Sequence, residues 1–131
     1  MLSIKDNSFL IDDVDLRELK EVYGTPLYIY SVSSIKDKIA ELKRDFLNKY
    51  EKTTVSYAAK AFLCKSLIHI LSEEDLNLDV VSGGELYIAL KSGFDPEKIE
   101  FNGNNKLPEE IDMAVKNNVG KIIIDGSGEI S

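Results

Sequence analysis

Leu78-Asp79-Val80-Val81-Ser82-Gly83-Gly84-Glu85-Leu86 carries a short apolar run straight into a helix start. Leu78, Val80 and Val81 have the bulk and branching that suit a pleated strand. Ser82 and Glu85 stand three apart, the spacing of a capping box, in which a hydroxyl and a carboxylate satisfy the first free amides of a helix. The pattern beyond predicts a helix over 84–92, and Gly93 after Ser92 reads as its stop. The segment is one strand followed by one helix.

Further copies lie on both sides. Apolar runs occupy Thr54–Ala59, Ile99–Phe101 and Ile122–Ile124, and helical patterns occupy Leu63–Glu74 and Pro108–Asn117. Pro108 suits a first helical turn, and Gly120 closes the last helix before the final run. With Val55, Leu78, Ile99 and Ile122 as markers, the unit recurs at steps of 23, 21 and 23 residues. Strands alternating with helices at this period predict βα units and a parallel sheet. Runs apolar throughout, such as Ile122-Ile123-Ile124, predict a sheet covered on both faces.

Upstream, Asp15–Tyr23 predicts a helix. Asp15 and Glu18 have capping-box spacing, Leu16, Leu19 and Val22 share a face, and Gly24 ends the pattern. Pro26–Tyr30 alternates as an extended segment, and Ile35, Ile39, Leu42 and Phe46 predict a second helix over about 34–50. Two architectures use repeated βα units, a doubly wound open sheet and a (β/α)8 barrel. A full barrel takes roughly 200–250 residues. The 131 residues here supply four such strands, with only Gly126–Ser131 after the last, so a fragment of something larger is expected.

Composition narrows the partners. Hydrophobic residues make up 44% and charged residues 30%, the balance of an ordered globular chain. The net charge of −7 comes without a basic stripe, which argues against nucleic acid and anionic membrane surfaces as partners. One cysteine, Cys64, excludes an internal disulfide and a Cys-based zinc site, as expected of a cytoplasmic protein. Residues 1–10 lack the basic and apolar blocks of a signal peptide, and no run approaches the ~20 apolar residues of a membrane span.

Three segments could carry chemistry. Tyr57-Ala58-Ala59-Lys60-Ala61 ends the first strand of the repeat, on the side where βα folds place their active sites. A lysine there can be desolvated and form a Schiff base with a carbonyl, or it can simply end a strand in solvent. Asp79 lies within the second strand, where a carboxylate is costly unless partnered, with Lys60 on the neighbouring strand as the candidate. Alternatively Asp79 caps something local, Gly83-Gly84 is an ordinary turn, and Glu85 serves only as the third residue of its helix. Phe101-Asn102-Gly103-Asn104-Asn105-Lys106 offers amides at the pocket mouth, or is a plain loop.

Together these segments, in this order and spacing, resemble the diaminopimelate decarboxylases, barrel-type (fold type III) pyridoxal-phosphate enzymes. The resemblance begins at Tyr23-Gly24-Thr25-Pro26-Leu27-Tyr28-Ile29-Tyr30. It runs on through Tyr57–Phe62, Leu78–Leu86, Gly93–Ile99, Phe101–Lys106 and Gly120–Asp125, nearly the whole chain. It implies a partial (β/α)8 TIM-type barrel of about four parallel βα units over residues 33–131, preceded by an entry segment over 1–32 with a helix and an extended stretch. It implies pyridoxal 5'-phosphate held as a Schiff base on Lys60, with Ala58 lining the cofactor face and Asp79 beside the lysine, and no metal.

The activity so implied is that of a carboxy-lyase. The full-length enzyme would convert meso-2,6-diaminopimelate to L-lysine and carbon dioxide in lysine biosynthesis, with an amino acid as its small-molecule substrate and a homodimer as its assembly. The alternatives are a non-catalytic fragment, or a related decarboxylase acting on ornithine, arginine or a carboxylated polyamine. Relatives usually carry a histidine where this chain has Asn102, and an amide can keep a hydrogen bond but not a proton-transfer role. The family places its ring-stacking histidine, glycine-rich phosphate loop, ring-nitrogen partner and β-rich C-terminal domain further along than residue 131. His69, with no second histidine, and Cys64, with no histidine partner, read as ordinary helix residues. Asp125–Glu129 lacks the Gly-Lys-Ser/Thr of a Walker loop.

Overall fold

The computed structural model describes residues 2–5 and 7–130. They fall into two compact units, Met1–Glu51 and Lys52–Ser131.

The first unit opens with three short antiparallel strands, β1 (Leu2–Lys5), β2 (Ser8–Ile11) and β3 (Val14–Asp15), in the order β1-β2-β3. Ile11 pairs with Val14 across a two-residue loop in which Asp12 and Asp13 both have positive φ, 50° and 64°. That is the backbone of the primed hairpin turn, and Asp tolerates it better than most residues do. This sheet adds to the helix and extended segment expected at the N-terminus.

Helix α1 (Leu16–Tyr23) follows directly, capped by Asp15, whose carboxylate accepts from the Arg17 amide at 2.8 Å. Residues 25–31 belong to no strand: the alternation of Pro26–Tyr30 finds no neighbouring strand to pair with, and Tyr28 is almost fully exposed. Helix α2 runs over Val32–Asp45, with Ser31 as its cap. The Asp12 carboxylate accepts from the hydroxyls of Ser31 at 2.7 Å and Ser33 at 2.6 Å, tying the hairpin turn to the helix start. The helix expected over 34–50 thus begins two residues early and stops at Asp45, with a single 3-10 turn over Leu47–Lys49 beyond it. Phe46 and Tyr50 are both exposed, so no burial supports further helix, and their rings pair instead at 5.1 Å.

The second unit alternates strand and helix: β4 (Ser56–Ala58), α3 (Lys65–Glu73), β5 (Asn77–Val80), α4 (Gly83–Lys91), β6 (Ile99–Phe101), α5 (Pro108–Lys116) and β7 (Lys121–Ile122). The strands are parallel and stand in the order β4-β5-β6-β7. Each strand lies beside its predecessor, as in a barrel, with none of the reversal of a doubly wound sheet. The sheet is therefore part of a (β/α)8-type barrel.

Register sorts the side chains into two faces. Tyr57, Leu78 and Ile99 are aligned, as are Val80, Phe101 and Ile122. Leu78, Val80, Ile99 and Phe101 are fully buried together with Leu67, Ile68 and Leu71 of α3, Leu86 and Ala89 of α4 and Ala114 of α5. Ala58, Asp79, Glu100 and Lys121 form the row on the opposite face. There Lys121 Nζ donates to Glu100 Oε1 at 2.6 Å, which holds the Glu100 carboxyl below the usual carboxylate range. The expectation of strands apolar on both faces is corrected here. One face packs on helices and the other is polar, and β7 ends at Ile122, leaving Ile123 and Ile124 exposed beyond it. Among the described residues no helix is long and apolar enough to cross a membrane.

Candidate active site

The residues singled out in the sequence gather at the C-terminal ends of β4, β5 and β6. Lys60 sits in a 3-10 turn, Ala59–Ala61, immediately after β4. Buried Ala59 anchors this turn, and the Tyr57 hydroxyl donates across it to the Phe62 carbonyl at 2.9 Å. The Lys60 side chain is exposed and makes no hydrogen bond or ion pair among the described residues. Ala58 is the last residue of β4 and lies in register with Asp79 on β5.

Asp79 is the anomalous group. Its Oδ1 is buried and has no hydrogen-bond partner among the described residues. Burial pushes its carboxyl above the ordinary 3.8. The Asn102 side chain opposes this, neighbouring Glu100 reinforces it, Lys60 opposes it as a nearby positive charge, and Glu85 reinforces it. Lys60 therefore acts on Asp79 through space, without forming an ion pair.

A folded chain that holds the Asp79 proton more tightly than the unfolded chain loses stability as pH rises from 3.8 through the raised value. Asp79→Asn is expected to remove that part of the slope, so that the variant matches or exceeds the wild type at neutral pH. Urea unfolding midpoints from acidic to neutral pH check this, and parallel profiles for the two proteins would refute it.

The loops are held by a hydrogen-bond network in which Ser82, Glu85 and Asn102 were read from the sequence, and Gly103, Lys106 and Glu110 were not read individually. The Asn102 amide donates to Val80 O at 2.7 Å, extending the ladder by one residue. Gly103 then takes φ +106°, and a Cβ there would lie 2.8 Å from Val81 O, so a side chain is excluded on both counts. The Gly103 amide donates to Asn102 Oδ1 at 2.9 Å. Lys106 Nζ donates to Gly103 O at 2.5 Å and Ile123 O at 2.8 Å, and pairs with Glu129 at 3.0 Å. At the start of α4, Ser82 accepts from the Glu85 amide at 3.3 Å, and Glu85 Oε2 accepts from the Val81 amide at 2.7 Å. Glu110 links two helix starts, accepting from Gly83 N at 2.6 Å and Leu107 N at 2.8 Å. Cys64 is half-buried at the cap position of α3, and His69 is exposed. Among the described residues no group of three His, Cys, Asp or Glu could hold a metal ion.

Residues 35–131 match the family described as the pyridoxal-dependent decarboxylases, pyridoxal binding domain. The chain belongs to this family. Among its relatives, the diaminopimelate decarboxylase of Bacillus subtilis is 46% identical over 121 residues, 92% of this chain and 28% of the relative. That of Staphylococcus aureus is 40% identical over 126 residues, 96% of this chain and 30% of the relative. The crystal structure of diaminopimelate decarboxylase from M. jannaschii in complex with L-lysine superposes with a TM-score of 0.90 at 40% identity, covering 99% of this chain and 31% of that one. The chain thus spans about 30% of the length of the relatives it matches. The domain it matches binds pyridoxal, and its sheet is the corresponding part of their barrel.

Proposed function

We propose that residues 33–131 are the first half of the cofactor barrel of a diaminopimelate decarboxylase, with residues 1–32 as its entry segment. The full-length protein then converts meso-2,6-diaminopimelate to L-lysine and carbon dioxide, in the cytoplasm and as a homodimer. The observation that carries this reading is the placement of Lys60. It is an exposed amine at the C-terminal end of the first parallel strand, one residue after a turn residue that is buried.

The surrounding groups fit a pyridoxal phosphate. Ala58 contributes no bulk on the row that faces away from the helices. Asp79 offers a buried oxygen with no hydrogen-bond partner among the described residues, on the strand beside the one that Lys60 follows. Lys60, Ala58 and Asp79 would hold the group, which when bound supplies an electron sink for the pair left as a carboxylate departs. Lys60 contributes the attaching amine. Asp79 contributes a carboxyl on the neighbouring strand, on which the Lys60 charge acts through space. Asn102 keeps a hydrogen-bonding amide at the mouth, and it offers no titrating proton there.

The names of the relatives support diaminopimelate as the substrate, and a substrate panel tests it. Full-length protein should release carbon dioxide from meso-diaminopimelate in preference to ornithine, arginine and carboxyspermidine. Preference for any of the other three would replace this reading with a sister activity.

A further inference from the structure

We propose that Tyr57 is a positioning residue for Lys60, whose hydroxyl ties the end of β4 to the far side of the turn that carries the lysine. Tyr57 stands in register with Leu78 of β5, and Leu78 with Ile99 of β6, so all three lie on the helix-facing row. Alternation along the chain puts Ala58 on the opposite face, and Ala59 is again buried, at 2% exposure. Lys60 and Ala61 follow, both exposed. The Tyr57 hydroxyl then donates to the Phe62 carbonyl at 2.9 Å, in a partly buried bond. Lys60 is thereby held between two fixed points, the buried Ala59 on one side and the bonded Phe62 on the other.

A tie is needed because the turn is weak by itself. A 3-10 run of three residues has poor hydrogen-bond geometry, and two of its three side chains, those of Lys60 and Ala61, are exposed. A phenylalanine at position 57 could fill the same ring volume on the helix-facing row. What the hydroxyl adds is a fixed separation between the β4 ladder and Phe62, and hence a fixed origin for the Lys60 side chain. That side chain makes no hydrogen bond or ion pair among the described residues, so its backbone is where it can be positioned. An amine on a backbone that is already ordered loses less entropy when it engages a ligand. The use of this device in catalysis rests on the decarboxylase reading above, but the tie itself does not.

The test is Tyr57→Phe in the full-length protein, which deletes one oxygen and keeps the ring. Without cofactor, hydrogen exchange across residues 59–62 should quicken roughly threefold to tenfold, the range expected of one lost hydrogen bond, while residues 77–80 of β5 keep the wild-type rate. With pyridoxal phosphate as the probe, borohydride trapping at Lys60 should need a cofactor concentration higher by a similar factor, both proteins being fully folded in the assay. A merely structural role would quicken exchange at 77–80 together with 59–62 and leave trapping unmoved. Tyr87→Phe, which removes a hydroxyl from an exposed ring on α4, should change neither readout. Unchanged exchange across 59–62, or trapping at the wild-type concentration, overturns the proposal. No trapping at Lys60 in the wild type would count against the decarboxylase reading instead, and the exchange measurement alone would then decide the proposal. If Tyr57→Phe does not fold, the wild type decides. Protection across 59–62 despite the exposure of Lys60 and Ala61 supports the tie, and free exchange there overturns it.

Discussion

Lys60→Ala in the full-length protein is expected to lower decarboxylation on the order of 10³-fold or more while leaving the fold intact. Activity should collapse because the proposed function assigns cofactor attachment to Lys60, the exposed amine at the strand end. The fold should survive because the side chain is exposed and makes no hydrogen bond or ion pair among the described residues, and such surface changes stay within about 0.5 kcal/mol. Borohydride reduction of cofactor-loaded protein followed by peptide mapping should place the label on Lys60. A label on another lysine, with Lys60 unmodified, would sink the assignment whatever the activity of the variant.

The positions of Lys60 and Asp79 at adjacent strand ends were legible in the sequence because their signals are local. A lysine just past an apolar run and an acid inside one each break a pattern, and the period of the repeat aligns the two breaks on adjacent strands. The four βα units were legible for the same reason, since capping residues and glycine stops punctuate them. Lys106 has no such signal. Its partners Ile123 and Glu129 lie 17 and 23 residues further along, and nothing in Asn104-Asn105-Lys106 distinguishes a buried ammonium from a solvated one. Glu110 is half legible: its bond to the Leu107 amide is a helix-start spacing, but its bond to Gly83 spans 27 residues.

Two misreadings have physical causes. Ile122-Ile123-Ile124 looks like a strand buried on both faces, but side-chain type cannot say whether a covering layer exists, and here the helices of this unit cover one face. The N-terminal sheet escaped notice because its strands are at most four residues long and its register depends on Asp12 and Asp13 adopting positive φ together.

Gly120→Ala is expected to destabilise the chain by about 3 kcal/mol or more, or to prevent folding. Gly120 immediately precedes β7, and its amide donates to Pro96 O at 2.9 Å. A Cβ there would lie 2.0 Å from Glu97 O, 2.7 Å from Glu97 C and 3.1 Å from Glu97 Cα. These are backbone atoms, so no side-chain rotation relieves the overlap. The turn that bears them, Pro96–Lys98, is itself held. Asp95 caps it by accepting from the Glu97 amide at 3.0 Å, Lys98 pairs with Asp75, and the next residue is the fully buried Ile99 of β6. Relief must therefore come from separating β6 from β7, whose pairing aligns Glu100 with Lys121 and Phe101 with Ile122. Gly126→Ala is the internal control. Nothing lies within 4 Å of a Cβ at that position and φ is −146°, so its effect should stay within about 0.5 kcal/mol. Urea unfolding of both variants, with hydrogen exchange at Phe101 and Ile123, measures the contrast. Equal midpoints would mean that the two strands yield freely. They would also mean that the Lys106 bond to Ile123 O, which depends on where β7 ends, cannot be rigid.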